Sequence, residues 1–221
     1  MDRHVLIVFP HPDDEAFGVS GSIMKYIQEG ISVTYVCLTL GEMGRNMGKP
    51  PFATRESLPE IRKKELEEAC RITGIKDLRR MGLRDKTVEF EDPEELAKRI
   101  RAVIDEITPE VIITFYPGYS VHPDHNACGA AVIKAVESMA KDQRPEVHCL
   151  AFSHDCYEKL GQPDIKRDVS EFADRKLEVI KAHRSQTQGL VQGIKKRLSK
   201  ENQEFMNQLK TERFWIYKFQ N

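Results

Sequence analysis

Short, unbroken apolar runs alternate along this chain with stretches whose apolar residues recur at helical spacing. Val5–Phe9 is apolar throughout, as a strand buried on both faces requires. Ala16–Glu29 then carries helical periodicity, and Gly30 supplies a stop. Ser32–Leu38 reads as a second strand, so the opening unit is βαβ and its strands should run parallel. Further along, the spacing predicts helices over Pro59–Thr73, Glu94–Ile107, Asp124–Ala140 and Phe172–His183, with a basic helix over Lys195–Leu209. Strands are expected at Asp77–Met81, Val111–Phe115, Val147–Phe152 and Phe214–Phe219. Gly41–Leu58, punctuated by glycine and proline, predicts a long surface loop, a feature usually either functional or disordered. No repeat, low-complexity segment or linker divides the chain. The pattern therefore predicts one three-layer α/β domain over residues 1–221, built around a mostly parallel sheet.

Composition narrows the function classes. Thirty-four Lys and Arg against 35 Asp and Glu leave a formal charge of −1, so no overall field draws the 221-residue chain to nucleic acid or to anionic lipid. No apolar run approaches the roughly 20 residues that span a bilayer, and the N-terminal residues lack the features of a signal peptide. The cysteines Cys37, Cys70, Cys128, Cys149 and Cys156 are odd in number and form no C-x-x-C pair. Reduced thiols in the cytoplasm are the expectation, rather than a disulfide framework or a thiolate metal site.

Two clusters carry the candidate chemistry: His11-Pro-Asp-Asp-Glu15 and His122-Pro-Asp-His125. Each directly follows a predicted buried strand and opens a predicted helix. In a parallel sheet the loops at the carboxyl ends of strands share one edge, where ligands bind, so the two clusters can meet. Two imidazoles and one carboxylate make a three-ligand catalytic metal set with room for water. Such a site lowers the pKa of bound water to about 7 and polarises a carbonyl. The surplus groups, Asp13, Asp124 and one further histidine, could move the protons a hydrolase needs moved. Either motif alone would also serve simply to start a helix, with proline in the first turn and acids at the positive end of the dipole. Two such motifs at equivalent strand ends, with complementary ligand types, point to a site. His4, His148 and His154 read as structural or exposed.

These paired motifs, in this βα order, resemble the LmbE-like (PIG-L) zinc-dependent N-deacetylase family. GEMGRNMGKPPFATRE at Gly41–Glu56 and GYSVHPDH at Gly118–His125 look like the bacillithiol-pathway deacetylases of bacilli. The resemblance implies a Rossmann-like three-layer fold and hydrolysis of an N-acetylglucosamine amide, with N-acetylglucosaminyl-malate as the small-molecule substrate. It implies Zn²⁺ as cofactor, with Fe²⁺ the alternative in cells, and a cytoplasmic homo-oligomer, often a hexamer. It makes His11, Asp14 and His125 the metal ligands and Asp13 the general base. It makes His122 the general acid or oxyanion stabiliser, Asp124 the partner that orients His122, and Arg62 a substrate-holding residue. One departure is visible: relatives often carry a tyrosine where this chain has Ser120, and the adjacent Tyr119 would point differently.

In the Gly41–Leu58 loop, Arg45, Lys49 and Arg55 could meet a substrate carboxylate, for which a bidentate arginine is well suited. An ordinary solvated loop is the alternative. By composition alone, Arg62 beside Lys63 and Lys64 would sit on a solvated helix face, as would the run Lys195–Arg197. His183-Arg184-Ser185-Gln186 resembles a histidine–glutamine segment of the family and is expected to support the site. A broader N-acetyl-sugar or chito-oligosaccharide deacetylase is the neighbouring reading. A non-haem Fe(II) oxygenase also uses two histidines and one carboxylate, and a non-catalytic sugar-binding module would bind metal without releasing acetate.

Overall fold

A computed structural model describes residues 3–196 and 205–220. Its strands are β1 (His4–Phe9), β2 (Ser32–Cys37), β3 (Asp77–Arg80), β4 (Val111–Phe115), β5 (Glu146–Leu150), β6 (Ile165–Asp168) and β7 (Thr211–Ile216). They form one sheet in the order β3-β2-β1-β4-β5-β7-β6. The first five of that order are parallel, and β7 runs antiparallel to both β5 and β6. Val5 to Phe9 of β1 are wholly buried because both faces of this central strand are covered. Leu6 and Val8 face α4 (Pro93–Ile107) and α5 (Pro123–Glu137). Val5, Ile7 and Phe9 face α2 (Ser20–Gln28) and α3 (Leu58–Thr73). The α/β class, the three layers and the mostly parallel sheet are as the hydrophobic pattern predicts.

The strand order decides where chemistry can sit. The chain winds from β1 through β2 to β3 in one direction, then returns to place β4 on the other side of β1. Beyond the carboxyl ends of β1 and β4 the connections part, leaving the crevice where open α/β sheets bind ligands. Both histidine motifs follow these two strands.

The helix expected over Ala16–Glu29 is two helices, α1 (Asp14–Gly18) and α2, parted at Val19 with φ −144°. The cause lies far off in sequence. Glu212, buried on β7, accepts from the amides of Gly21 (2.9 Å) and Ser22 (2.8 Å), giving α2 an N-terminus of its own. Lys176 of α7 (Ala173–Ala182) pairs with the same carboxylate in the core. The pattern also misses α6 (Cys156–Leu160), α8 (Arg184–Lys196) and β6, whose sequence Ile-Lys-Arg-Asp is polar because it forms the sheet edge. The predicted helix over Lys195–Leu209 falls largely outside the described residues, of which 205–208 are helical; the side chains of Lys195–Arg197 also lie outside them. β7 begins three residues before the expected Phe214. Among the described residues no helix is long and apolar enough to cross a membrane.

Helix α5 lies unusually close to β4. A Cβ on Gly129 would stand 2.2 Å from the carbonyl oxygen of Phe115, a backbone atom that cannot turn aside. Gly→Ala inside a helix ordinarily stabilises by about 1 kcal/mol. Here the clash should reverse that sign and make Gly129→Ala less stable by about 1–3 kcal/mol in chemical denaturation. A variant more stable than wild type would contradict this packing.

Candidate active site

The backbone is bent into uncommon conformations around the crevice. Among the described residues four non-glycine residues have positive φ: Asp13 (101°), Lys86 (63°), Val121 (42°) and Thr108 (43°). Thr108 merely ends α4, whereas Asp13 lies within the first motif, Val121 directly precedes the second, and the Lys86 amide bonds Asp124. A β-branched residue such as Val121 resists this region, and strain of this kind gathers at functional sites.

The central feature is the tautomers that the surroundings force on two histidines. His11 Nε2 faces carboxylate oxygens of Asp124 (3.0 Å) and Asp85 (3.1 Å). Ionised carboxylates only accept, so Nε2 carries the proton and Nδ1 presents a lone pair. His125 Nδ1 lies 3.2 Å from the carbonyl of Ser120, which also only accepts, so a neutral ring with its proton on Nδ1 would offer the Nε2 lone pair to a metal. The ring of His125 is fixed further by stacking on Phe115 at 3.9 Å. The two lone-pair nitrogens stand 3.2 Å apart. Across them lies the Asp14 carboxylate, one oxygen 3.1 Å from His125 Nε2 and the other 3.5 Å from His11 Nδ1. Three donors of this type facing one another suit a cation between them. Ligands about 2.0–2.2 Å from a tetrahedral metal stand roughly 3.3 Å apart, so the 3.2 Å between the two nitrogens fits a divalent ion, with Asp14 facing each of them through a different oxygen; His11, His122 and His125 also group closely enough to share one. Burial opposes a charge on His11, but hydrogen bonds to Asp124, Asp14 and Asp85 outweigh it and raise its pKa well above the ordinary value, so a proton and a metal ion compete for Nδ1. Burial likewise opposes ionising Asp14, yet His125 and His11 hold its carboxyl well below the usual range.

Asp85 is a site residue that sequence reasoning passes over. It is buried, binds His11 through one oxygen, and accepts the Met43 amide (2.8 Å) through the other. The available signal is an acid just beyond β3, on the same sheet edge. The expected role of Asp124 needs correction. Its carboxylate does not orient His122; it faces His11 and accepts the Lys86 amide at 2.7 Å. His122 instead caps α5, its Nδ1 accepting the backbone amide of Asp124 at 3.1 Å. The His122 proton therefore resides on Nε2. Burial, followed by His11 and His125, lowers its pKa, which favours the neutral ring.

Arg62 also sits differently from the expectation of a substrate anchor or a solvated face. It is 3% exposed, and its guanidinium donates to Asp13 Oδ2 (3.0 Å), to the Gly41 carbonyl (2.8 Å) and to the Pro12 carbonyl. α3 turns this side chain inward beneath the motif, so Arg62 holds Asp13. Surrounding protein raises the Asp13 pKa to about 6; Arg62 pulls it down and Asp14 pushes it up.

The resulting cleft, about 460 Å³, is lined by His11, Asp13, Asp14, His122, His125, Arg62 and Asp85, with Met43, Gly44, Arg45 and Lys86 at the rim. Arg45 and Lys86 are exposed and have no carboxylate partner among the described residues. Arg55 and Lys49 do not line it. Arg55 binds the carbonyls of Glu42 (2.9 Å) and Gly44 (3.0 Å), bracing the loop from behind, and Lys49 contacts α8 through its backbone. The Gly41–Leu58 loop is thus held in place: Asn46 and Gln186 exchange hydrogen bonds, and Gly48 donates to Ser185. Neither Ser120 nor Tyr119 lines the cleft. The Ser120 hydroxyl is buried on the Tyr116 carbonyl, and Tyr119 packs against Tyr116. His4 and His148 lie elsewhere, bonded to Thr34 and Glu146.

Known proteins resemble this chain in sequence and in fold. The family pattern of PIG-L, GlcNAc-PI de-N-acetylase, matches residues 6–136. A Bacillus cereus protein named "probable N-acetyl-alpha-D-glucosaminyl L-malate deacetylase 2" is 50% identical over 220 residues, covering 100% of both chains. Among solved structures, N,N'-diacetylchitobiose deacetylase from Pyrococcus horikoshii superposes with a TM-score of 0.73 at 23% identity, covering 97% of this chain and 84% of that one. A 4-carboxy-2-hydroxymuconate hydratase from Pseudomonas putida also reaches 0.73 at 18% identity, covering 99% and 98%, so the fold by itself does not fix the reaction. The sequence matches do what the fold cannot, and the chain belongs to the PIG-L family to which its paired histidine motifs pointed.

Proposed function

We propose that this protein is a divalent-metal-dependent deacetylase that converts N-acetylglucosaminyl-malate to glucosaminyl-malate and acetate in bacillithiol biosynthesis. The observation that carries the metal assignment is the pair of lone-pair nitrogens, His11 Nδ1 and His125 Nε2, facing each other across Asp14. The full-length likeness to a malate-glycoside deacetylase supports the substrate. His11, Asp14 and His125 would hold the ion. Bound Zn²⁺ would supply a Lewis acid that polarises the amide carbonyl and eases ionisation of water.

The remaining work falls to the chain. Asp13, steadied by Arg62, takes a proton from the water that adds to the carbonyl carbon. His122, neutral with its proton on Nε2, donates a hydrogen bond to the oxygen as negative charge develops there. Asp13 then returns the proton to the nitrogen as the C–N bond breaks, leaving a free amine and acetate. Asp85 and Asp124 keep His11 in its required tautomer, as carboxylates behind a metal-binding histidine commonly do. At the rim, Arg45 and Lys86 are the cations open to the two carboxylates of a malate aglycone. Five buried free cysteines accord with a reducing cytoplasm.

The ligand and base roles separate experimentally. His125→Ala should lose most bound metal, whereas Asp13→Asn should keep it and lose on the order of 10²–10⁴ in kcat. Metal content and turnover measured on the same preparations decide this; full metal occupancy in His125→Ala would remove it from the ligand set. As pH falls through about 6 the Asp13 carboxylate protonates, so kcat/KM should decline on the acid side. A bound cation favours the carboxylate, placing the midpoint at or below that value. The limb should disappear in Asp13→Asn.

Specificity gives a further test. Lys86→Ala and Arg45→Ala should each reduce the preference for the malate glycoside over free N-acetylglucosamine by about ten- to a hundredfold in kcat/KM, the value of one charge-assisted hydrogen bond. Arg62→Ala should lower turnover of both substrates alike. Loss of the preference in Arg62→Ala, with the two rim variants silent, would reverse these assignments.

A further inference from the structure

Asp13 is gripped from two sides, and only the grip of Arg62 has a part in the chemistry above. The second is a buried network behind the motif. Glu15 is fully buried and accepts three hydrogen bonds: from the Asp13 amide (3.1 Å) and the Tyr35 hydroxyl (3.0 Å) at Oε2, and from His183 Nε2 (2.5 Å) at Oε1. His183 is also fully buried, and its Nδ1 has no partner among the described residues. It closes α7, and two residues later the Ser185 amide and hydroxyl bind Glu65 of α3 at 2.6 and 2.7 Å. Glu65 lies one turn from Arg62 on that helix. The two grips on Asp13 are therefore joined through α3, α7 and α8.

A buried carboxylate with three donors could serve folding alone. Its place argues for more. The first of the donors is the amide of Asp13, whose φ of 101° is one that non-glycine residues seldom adopt. Such a conformation persists only where the surroundings over-determine it. We propose that Glu15 is a positioning residue of the reaction: with His183 and Tyr35 it clamps the Asp13 backbone in its left-handed conformation and so aims the Asp13 carboxylate at the attacking water. This rests on the reading of Asp13 as the base.

The network distinguishes shape from charge. In Glu15→Gln the amide oxygen can still accept from Asp13 and Tyr35. The new NH₂ can donate to His183 Nε2 if that ring moves its proton to the free Nδ1. The clamp then survives without the charge. Glu15→Ala removes it.

A double-mutant cycle with Asp13→Asn tests the proposal, with kcat, KM and metal content measured for each variant. Glu15→Ala should lower kcat about a hundredfold, the penalty of displacing a reacting group by about 1 Å. KM and metal content should stay within about threefold, and Glu15→Gln should bring kcat back to within about tenfold of wild type. In the Asp13→Asn background the same Glu15→Ala change should alter kcat by less than about threefold, because the group it positions is gone. If Glu15→Ala does not fold, Tyr35→Phe removes one donor from the clamp and should show a several-fold loss that also vanishes on Asp13→Asn. Losses that multiply in the double mutant, or an unchanged kcat in Glu15→Ala, would overturn the proposal alone. Wild-type turnover by Asp13→Asn would overturn the base assignment, and the proposal with it.

Discussion

His11 has carboxylates at both of its ring nitrogens, and the site is organised around that fact. Asp85 and Asp124 hold the proton on Nε2, so Nδ1 turns a lone pair toward His125 and Asp14. Every nearby element contributes to the arrangement. Asp124 comes from the first turn of α5, Asp85 from the segment after β3, and Asp14 from the first turn of α1. The Lys86 amide on Asp124 and the Met43 amide on Asp85 extend the set into the surrounding loops. Removing any one carboxylate would leave an uncompensated group in a dry environment, which is why so many acids can share so little space.

Topology makes that convergence affordable for a chain with no special local preference for it. The reversal of strand order between β1 and β4 opens a crevice at their carboxyl ends. Both motifs enter it through short turns, two of whose residues, Asp13 and Val121, hold positive φ. The same sheet supports a hydratase of closely similar fold. The deacetylase reading therefore depends on the side chains at the crevice, and the sheet provides only their placement.

Much of this was legible along the chain. Val5–Phe9 of β1 announced itself as an unbroken apolar run, and β2 and β4 as β-branched and mostly apolar ones, because both of their faces are covered. His11, Asp13, Asp14, His122, Asp124 and His125 could be placed together by counting strand ends. What escaped was long-range. The division between α1 and α2 is set by Glu212, and no local signal reports it. Asp85 sits in an unremarkable stretch after a short strand. Arg62 carries the same composition as its exposed lysine neighbours, and only its direction, inward beneath Asp13, reveals its role. Asp124 faces His11 rather than His122 because the capping geometry of α5 gives His122 to the helix backbone. Residue types and spacing named the participants; which nitrogen meets which oxygen required three dimensions.

The most direct test is where a metal binds. Anomalous scattering at the zinc edge from crystals grown with Zn²⁺ should show one strong peak between the rings of His11 and His125, within bonding distance of His11 Nδ1, His125 Nε2 and the Asp14 carboxylate. His11, Asp85 and Asp124 also form a compact donor cluster on the opposite nitrogen of the same ring. A peak there, with none between the two imidazoles, would contradict the tautomer assignment and the ligand set that follows from it.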